Sequence, residues 1–184
     1  MAKSEILKPF VLSFEGGFVN NKNDNGGATN KGVTLSTFRM VYGNDKTVSD
    51  LKKITDEQWM HIFKKLFWDA CKADDIKNQS VANMLVDFAY NSGSGNAVRK
   101  IQKIVGVKVD GILGKDTLAA INGFKQGQWV LFDSLKVARI TFLNNIVRNN
   151  PKQEVFLKGW LRRVGNIKYG KLVLNNGKEI MCKS

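Results

Sequence analysis

Apolar residues recur at helical spacing along most of the chain. In residues 3–15 they fall three or four positions apart, which predicts one face of an amphipathic helix; they are Ile6, Leu7, Phe10, Val11 and Phe14. Pro9 interrupts this segment. Because proline inside a helix costs about 3 kcal/mol, we expect the helix to begin at Pro9 or to kink there. Gly16 and Gly17 follow and predict its end.

Residues 18–33 lose the helical pattern and are rich in asparagine and glycine. These residue types tolerate positive φ angles and favour turns, so the segment is predicted to be a loop or a short hairpin. Because it carries few apolar side chains, we expect it to lie at the surface, in a ligand site, or both.

Helical spacing returns after this segment. Further helices are predicted at 34–41, from the capping-box pair Thr55 and Gln58 onward, at 80–92, before Gly106, at 115–121, at 129–147 and after Pro151. The 129–147 segment is apolar most of the way round, which predicts a central, largely buried helix. Near the C-terminus, apolar residues flank Asn175-Asn176-Gly177 and predict a β-hairpin. The expected fold class is all-α with a minor β-hairpin.

Composition limits the number of domains. The chain has 184 residues, of which 43% are hydrophobic, and it contains two prolines. No long Ser/Gly/Pro tract indicates a flexible linker. We therefore expect one compact domain, or one domain with a closely packed extension.

The charge is strongly basic, with 29 Lys and Arg against 16 Asp and Glu, a net +13. Such a chain is attracted to nucleic acid, to anionic membranes or to anionic cell-wall polymers, although the charge is also compatible with solubility alone. No zinc-finger spacing or recognition-helix motif supports a nucleic-acid partner. No run reaches the roughly 18 apolar residues of a membrane span, so membrane insertion is not expected.

Cysteine and histidine are scarce. The chain has two cysteines and one histidine, without the spacing of metal ligands. A disulfide framework is therefore not expected, and Cys71 is predicted to be a small buried side chain. We expect neither a metal nor an organic cofactor.

Candidate chemistry lies where the first predicted helix ends. Glu15 stands between Phe14 and the Gly16-Gly17-Phe18 segment, and Asp24 follows nine positions later in the polar loop. Apolar neighbours and the negative end of a helix dipole both favour the protonated form of a carboxyl group, as a general acid requires. A solvated carboxylate in the loop would complete an acid–base pair for glycoside hydrolysis, and Thr29 would hold an attacking water. The alternative is a solvated surface glutamate and a turn aspartate.

Two motifs resemble the glycoside hydrolase family 108 muramidases, a phage and bacterial branch of the lysozyme-like superfamily. They are Glu15-Gly16-Gly17-Phe18-Val19-Asn20 with Asp24-Asn25-Gly26-Gly27-Ala28-Thr29-Asn30-Lys31-Gly32-Val33-Thr34, and Asp87-Phe88-Ala89-Tyr90-Asn91-Ser92-Gly93. The resemblance implies a lysozyme-like helical body with Glu15 as the catalytic acid. Asp24 and Thr29 resemble the aspartate and threonine of phage lysozymes, although the threonine follows by five positions here and by six there.

The second motif would line the cleft. By the resemblance, Tyr90, Asn91 and Asp87 contact substrate, as does Thr34 in the first motif. The alternative is that Asn91-Ser92-Gly93 only ends a helix and that Asp87 only braces a neighbouring helix.

The second half resembles the peptidoglycan-binding segment of this family, through Asp110-Gly111, Gly114 and Thr117. The resemblance implies a lysozyme-like catalytic lobe at 1–93 and a helical lobe at 94–184 packed on it. This second lobe either binds the wall or simply completes the lysozyme-like body. Trp160 is interpreted as a core residue in preference to a sugar platform.

The predicted function is hydrolysis of the β-1,4 bond between N-acetylmuramic acid and N-acetylglucosamine in peptidoglycan glycan strands, by a monomer. The N-terminus has no apolar core of signal-peptide length. We therefore expect synthesis in the cytoplasm and action at the cell wall or in the periplasm, after export by a holin-type or other system. The alternative, since some proteins of this architecture are called secretion activators, is wall binding or local opening that aids export with little or no hydrolysis.

Overall fold

The computed structural model describes residues 1–20 and 27–182. Within these residues the fold is mostly helical, as predicted, with two small antiparallel sheets. The helices are α1 Ser4–Phe14, α2 Leu35–Tyr42, α3 Val48–Lys52, α4 Asp56–Phe63, α5 Gln79–Ser92, α6 Ser94–Val105, α7 Lys115–Asn122, α8 Gln128–Asn149 and α9 Glu154–Asn166. The strands are β1 Val19–Asn20, β2 Ala28–Asn30, β3 Val33–Thr34, β4 Ile167–Lys168, β5 Lys171–Val173 and β6 Glu179–Met181.

Helix α1 carries the first motif. It begins at Ser4 and contains Pro9, so the first of the two expected alternatives, a helix that begins at the proline, was wrong. Leu7, Phe10 and Val11 are fully buried on both sides of Pro9. Burial of each large apolar side chain contributes about 1.5–3 kcal/mol, which offsets the cost of proline inside the helix.

The polar segment after α1 contributes a three-stranded sheet in the order β1-β2-β3. Strand β2 pairs with β3 through Thr29 opposite Thr34 and Asn30 opposite Val33. Asn30 is buried, and its amide donates to the carbonyl oxygens of Leu51 and Lys52, both at 3.0 Å. These bonds fix the β2–β3 hairpin against α3.

Helix α5 forms the centre of the fold. Every residue from Gln79 to Ala89 is buried, and α5 packs against α6 and α8. The sequence instead predicted the 129–147 segment as the central helix. That prediction was wrong, because α8 buries only one stripe of side chains, and Trp129 and Val137 are more than half exposed.

The C-terminal strands form the second sheet, in the order β4-β5-β6. The predicted hairpin at Asn175-Asn176-Gly177 is confirmed by the pairing of β5 with β6, and Gly177 takes the left-handed φ of +88° that this turn needs. The backbone N–H of Asn175 donates to Ser13 Oγ at 3.0 Å, which holds the hairpin against the end of α1. Among the described residues, no helix has both the length and the apolar character needed to cross a bilayer.

Candidate active site

Glu15 lies at the junction of the two halves of the chain. It is the residue that ends α1, with an extended backbone, and its side chain is 14% exposed. The sequence predicted this position from the glycines that follow the helix. The structure agrees, since Gly16 and Gly17 are exposed and leave the helical path.

Arg163 of α9 binds the Glu15 carboxylate. Its Nη1 donates to Glu15 Oε1 at 2.7 Å. The rings of Phe14 and Tyr90 lie 5.5 and 5.7 Å from the Arg163 guanidinium carbon. The expected apolar wall is therefore present, but the sequence analysis did not foresee a cation within it. The surroundings of Glu15 therefore differ from the purely apolar setting expected, since a guanidinium lies within hydrogen-bonding distance of the carboxylate.

Asp87 links this pair to a second arginine. It is fully buried on α5 and accepts from Arg163 Nη2 and Arg139 Nη2, both at 2.8 Å. Burial alone raises the pKa of Asp87, but the charges and hydrogen bonds of Arg163 and Arg139 outweigh it and hold the pKa below its ordinary value. The four side chains form one chain of alternating charge, Arg139–Asp87–Arg163–Glu15.

The predicted substrate contact of Asp87 does not fit this geometry, because a fully buried carboxylate has no surface to offer a sugar. The alternative stated above, that Asp87 braces neighbouring helices, matches its ion pairs to α8 and α9. Arg163 donates to the Asp87 carboxylate through Nε and Nη2, which leaves Nη1 directed at Glu15. Asp87 thus orients the guanidinium that holds Glu15.

Tyr90 and the β2–β3 turn close the other side of Glu15. The Tyr90 hydroxyl donates to the Lys31 carbonyl oxygen at 3.1 Å, and Trp59 Nε1 donates to the same oxygen at 3.0 Å. Burial and the negative charge of Glu15 both raise the pKa of Tyr90, so the phenol stays a neutral donor. These two bonds fix the turn beside the carboxylate.

Gly32 occupies the turn where no side chain fits. Its φ is +76°, and a Cβ atom built on it would overlap the Tyr90 hydroxyl and the Glu15 carboxyl group. Glycine is therefore required twice, for its left-handed backbone and for the contact with Glu15.

The other predicted site residues are placed as follows. Thr29 is half-buried in β2, directly opposite Thr34. Thr34 caps α2, and its Oγ1 accepts from the Thr37 backbone N–H at 3.1 Å. Asn91 is exposed at the end of α5, and its side-chain oxygen accepts from Arg139 at 2.8 Å. Asp24 lies outside the described residues.

A cleft of about 490 Å³ opens beside Glu15. Its volume falls in the range of small-ligand sites, roughly 300–1,000 Å³. The walls come from the end of α1, the end of α5, α8, α9 and the C-terminal hairpin. They are Phe14, Glu15, Asn91, Ser92, Arg139, Leu143, Ile146, Gly159, Trp160, Arg162, Arg163 and Asn175.

Sequence reasoning missed Arg139, Arg163 and Gly32 as parts of the site. For Arg139 a signal was present, because it falls in register with the buried stripe Phe132, Leu135 and Leu143 of α8. A charged residue at helical spacing within an apolar stripe indicates a buried ion pair. Across residues 1–20 and 27–182, no cluster of three His, Cys, Asp or Glu side chains is arranged to hold a metal ion.

Two family models match the chain. The model described as Glycosyl hydrolase 108 matches residues 9–93, and the model described as Predicted Peptidoglycan domain matches residues 96–165. Glu15 and Asp87 lie in the first match, whereas Arg139 and Arg163 lie in the second. The charge chain therefore connects the two matched segments.

Among solved structures, the chain is similar to SagA of Brucella abortus. The two share 34% sequence identity with a TM-score of 0.76, over 90% of this chain and 92% of that chain. The search of curated proteins found no match.

Proposed function

The chain belongs to the glycosyl hydrolase 108 family, and we propose that it is a muramidase. In this proposal it hydrolyses the β-1,4 bond between N-acetylmuramic acid and N-acetylglucosamine in peptidoglycan. One observation carries the proposal: a mostly buried carboxylate, Glu15, forms part of the wall of a cleft of saccharide size. The match to a peptidoglycan domain supports peptidoglycan as the polymer that is bound.

The proposed acid is Glu15. To donate a proton to the glycosidic oxygen, its carboxyl group must be protonated when substrate is bound. The Arg163 guanidinium is shared with Asp87, so Glu15 faces a cation whose charge is already balanced on its other side. A sugar that fills the cleft displaces water from the carboxylate. The proposed chemistry then takes place in a site from which bulk water is excluded.

The proposed second group acts from the other face of the sugar. Asp24, with Thr29, would place a water or stabilise the positive charge that develops on the ring. Thr29 lies on β2, in the same hairpin whose turn touches Glu15 through Gly32. The support for this part of the proposal is the contact of the hairpin turn with Glu15, since the described residues that line the cleft do not include this hairpin.

The proposed place of action is the cell wall or periplasm, reached after export from the cytoplasm. The net charge of +13 suits an anionic wall polymer, and such attraction weakens as salt screens it. We therefore expect wall binding to fall as ionic strength rises.

The products of digestion test the proposed bond. Purified peptidoglycan is incubated with the protein, the new reducing ends are reduced with borohydride, and the fragments are identified by mass spectrometry. We expect reduced N-acetylmuramic acid. Reduced N-acetylglucosamine would overturn the bond assignment, and binding without any fragment release would favour wall binding that aids export without cleavage.

A further inference from the structure

One face of α9 continues the cleft away from Glu15. Four residues of α9 share this face because they occupy positions i, i+3, i+4 and i+7 of the helix: Phe156, Gly159, Trp160 and Arg163. Arg163 binds Glu15 at one end of this face. Phe156 lies seven residues away, which is about 10 Å along the helix axis.

The aromatic side chains on this face are at most partly used by the core. Phe156 is 53% exposed. Its ring stacks with that of Trp160, with centroids 6.0 Å apart and planes inclined by 24°. Trp160 is half-buried and lines the cleft. The two rings therefore form one aromatic patch that begins inside the cleft at Trp160 and continues to the surface at Phe156.

Gly159 keeps the cleft open beside this patch. It lines the cleft, and a Cβ built on it would meet no atom of the described residues within 4 Å. Glycine inside a helix weakens the helix relative to alanine. Packing within the protein does not require glycine here. The lack of a side chain instead lets a ligand approach the helix backbone closely.

We propose that Phe156, Gly159 and Trp160 form a platform on which an N-acetylated pyranose of the glycan strand stacks, beside the Glu15 carboxylate. This inference rests on the proposed function, because the same glycan strand occupies both places. A pyranose has an apolar face of C–H groups and a polar rim. The cleft matches it with the aromatic patch of α9 and with the polar side chains of Asn91 and Asn175.

The choice of a glycan over a protein partner follows from continuity with the Glu15 cleft. Trp160 of the platform lines the same cleft as Glu15 and its partner Arg163. A polymer that reaches Glu15 along this cleft passes over α9. The sequence interpretation of Trp160 as a core residue is therefore revised: it packs partly against the core and presents the rest of its surface to the cleft.

Binding measured in the Glu15→Gln background tests the platform without cleavage. The probe is chitotetraose, a neutral chain of N-acetylglucosamine, titrated against intrinsic tryptophan fluorescence and by calorimetry. In that background we expect Phe156→Ala, Trp160→Ala and Gly159→Leu each to weaken binding about tenfold, the equivalent of ~1.4 kcal/mol. Trp160→Phe is expected to retain binding while losing most of the fluorescence change.

Trp129→Ala is the matched control, because Trp129 is 58% exposed on α8 and does not line the cleft. Its removal should leave affinity unchanged. Gly165→Leu controls for a leucine within α9, since a Cβ there also meets no atom within 4 Å and the residue lies outside the cleft lining. If the circular dichroism of Trp160→Ala shows that this variant does not fold, the affinities of Phe156→Ala and Gly159→Leu decide whether the platform binds the sugar.

The outcomes separate the two proposals. Equal affinities for the parent and the Phe156→Ala and Gly159→Leu variants would overturn the platform, even if wild-type protein cleaves peptidoglycan. If chitotetraose binding depends on these residues but the wild-type protein releases no fragments from peptidoglycan, the result would support the platform and contradict the muramidase proposal.

Discussion

Arg163 Nη1 donates to Glu15 Oε1 across 2.7 Å, although the two residues are 148 positions apart in the chain. Arg163 reaches this position because Asp87, fully buried on the central helix, binds its other nitrogens. The side chain proposed to donate the catalytic proton is thus held by the C-terminal half of the protein. Removing any member of this chain of charges should affect stability and activity together.

Replacing Arg163 with alanine should destabilise the fold strongly. The substitution leaves Asp87 buried with one of its two cations removed, and breaking a buried ion pair costs about 3–5 kcal/mol. Urea unfolding followed by circular dichroism measures this loss. Arg162→Ala is the control, because Arg162 is exposed and donates to the Asn175 carbonyl oxygen at the surface. We expect it to cost less than about 0.5 kcal/mol. Similar losses in the two variants would contradict the buried network.

Asp87 should make stability depend on pH in the acid range. Because Arg163 and Arg139 hold the pKa of folded Asp87 below its ordinary value of 3.8, the unfolded chain binds the proton first as pH falls. The stabilisation is therefore present above about pH 4 and is lost as pH falls through the folded pKa.

Unfolding free energies measured between about pH 5 and pH 2 test this dependence. Asp87→Asn should be less stable than wild type near neutral pH, since it leaves Arg139 without its carboxylate and Arg163 with Glu15 alone. Its stability should also fall less steeply toward acid, by up to about 1.4 kcal/mol per pH unit. Asp116→Asn, at an exposed position of α7, serves as the comparison. Parallel curves for wild type and Asp87→Asn would contradict the assignment.

Gly32→Ala should impair hydrolysis by displacing Glu15. Its Cβ would overlap the Glu15 carboxyl group and the Tyr90 hydroxyl. Gly106→Ala is the matched control, because Gly106 also has a left-handed φ, +75°, lies outside the cleft lining, and a Cβ there meets no atom of the described residues within 4 Å. Both variants carry the strain of a left-handed alanine, about 1–2 kcal/mol. Only Gly32→Ala should lose peptidoglycan-clearing activity beyond its loss of stability, and equal activity in the two would argue against close packing on Glu15.

Local rules predicted much of the secondary structure. The Thr55 capping box is confirmed by the mutual hydrogen bonds of Thr55 and Gln58, and the helix before Gly106 ends there at a φ of +75°. These features depend on a few adjacent residues, so sequence spacing is enough to find them. The short helix α3 was not predicted, although Thr47 and Asp50 also form a capping box there.

Tertiary arrangement was harder to predict. The apolar 129–147 segment resembles a central helix, yet α5 takes that place with Gln79, Asn83 and Asp87 buried along it. These polar residues are tolerated because partners from distant segments satisfy them. Gln79 donates to the Lys3 carbonyl oxygen, and Asp87 binds two arginines. The partners of Gln79 and Asp87 lie 52 to 76 positions away from them in the sequence, where helical periodicity carries no information.

The same limit applies to the candidate site. The motif pointed to Glu15, and the structure places it at a cleft. The sequence did not reveal its cation, because nothing near residue 15 indicates that residue 163 packs against it. Thr29, Thr34, Tyr90 and Asn91 remain predicted contacts, and Asp24 lies outside the described residues.

The most direct test of the central claim compares cleavage by wild type, Glu15→Gln and Glu5→Gln. Glu5 is an exposed glutamate in the same helix, so its substitution controls for the loss of one negative charge. Release of reducing ends from purified peptidoglycan gives the rate, and circular dichroism confirms that each variant is folded. The account predicts that Glu15→Gln loses at least about 100-fold in rate, as expected for removal of a general acid, while Glu5→Gln cleaves like wild type. Wild-type cleavage by folded Glu15→Gln would contradict it.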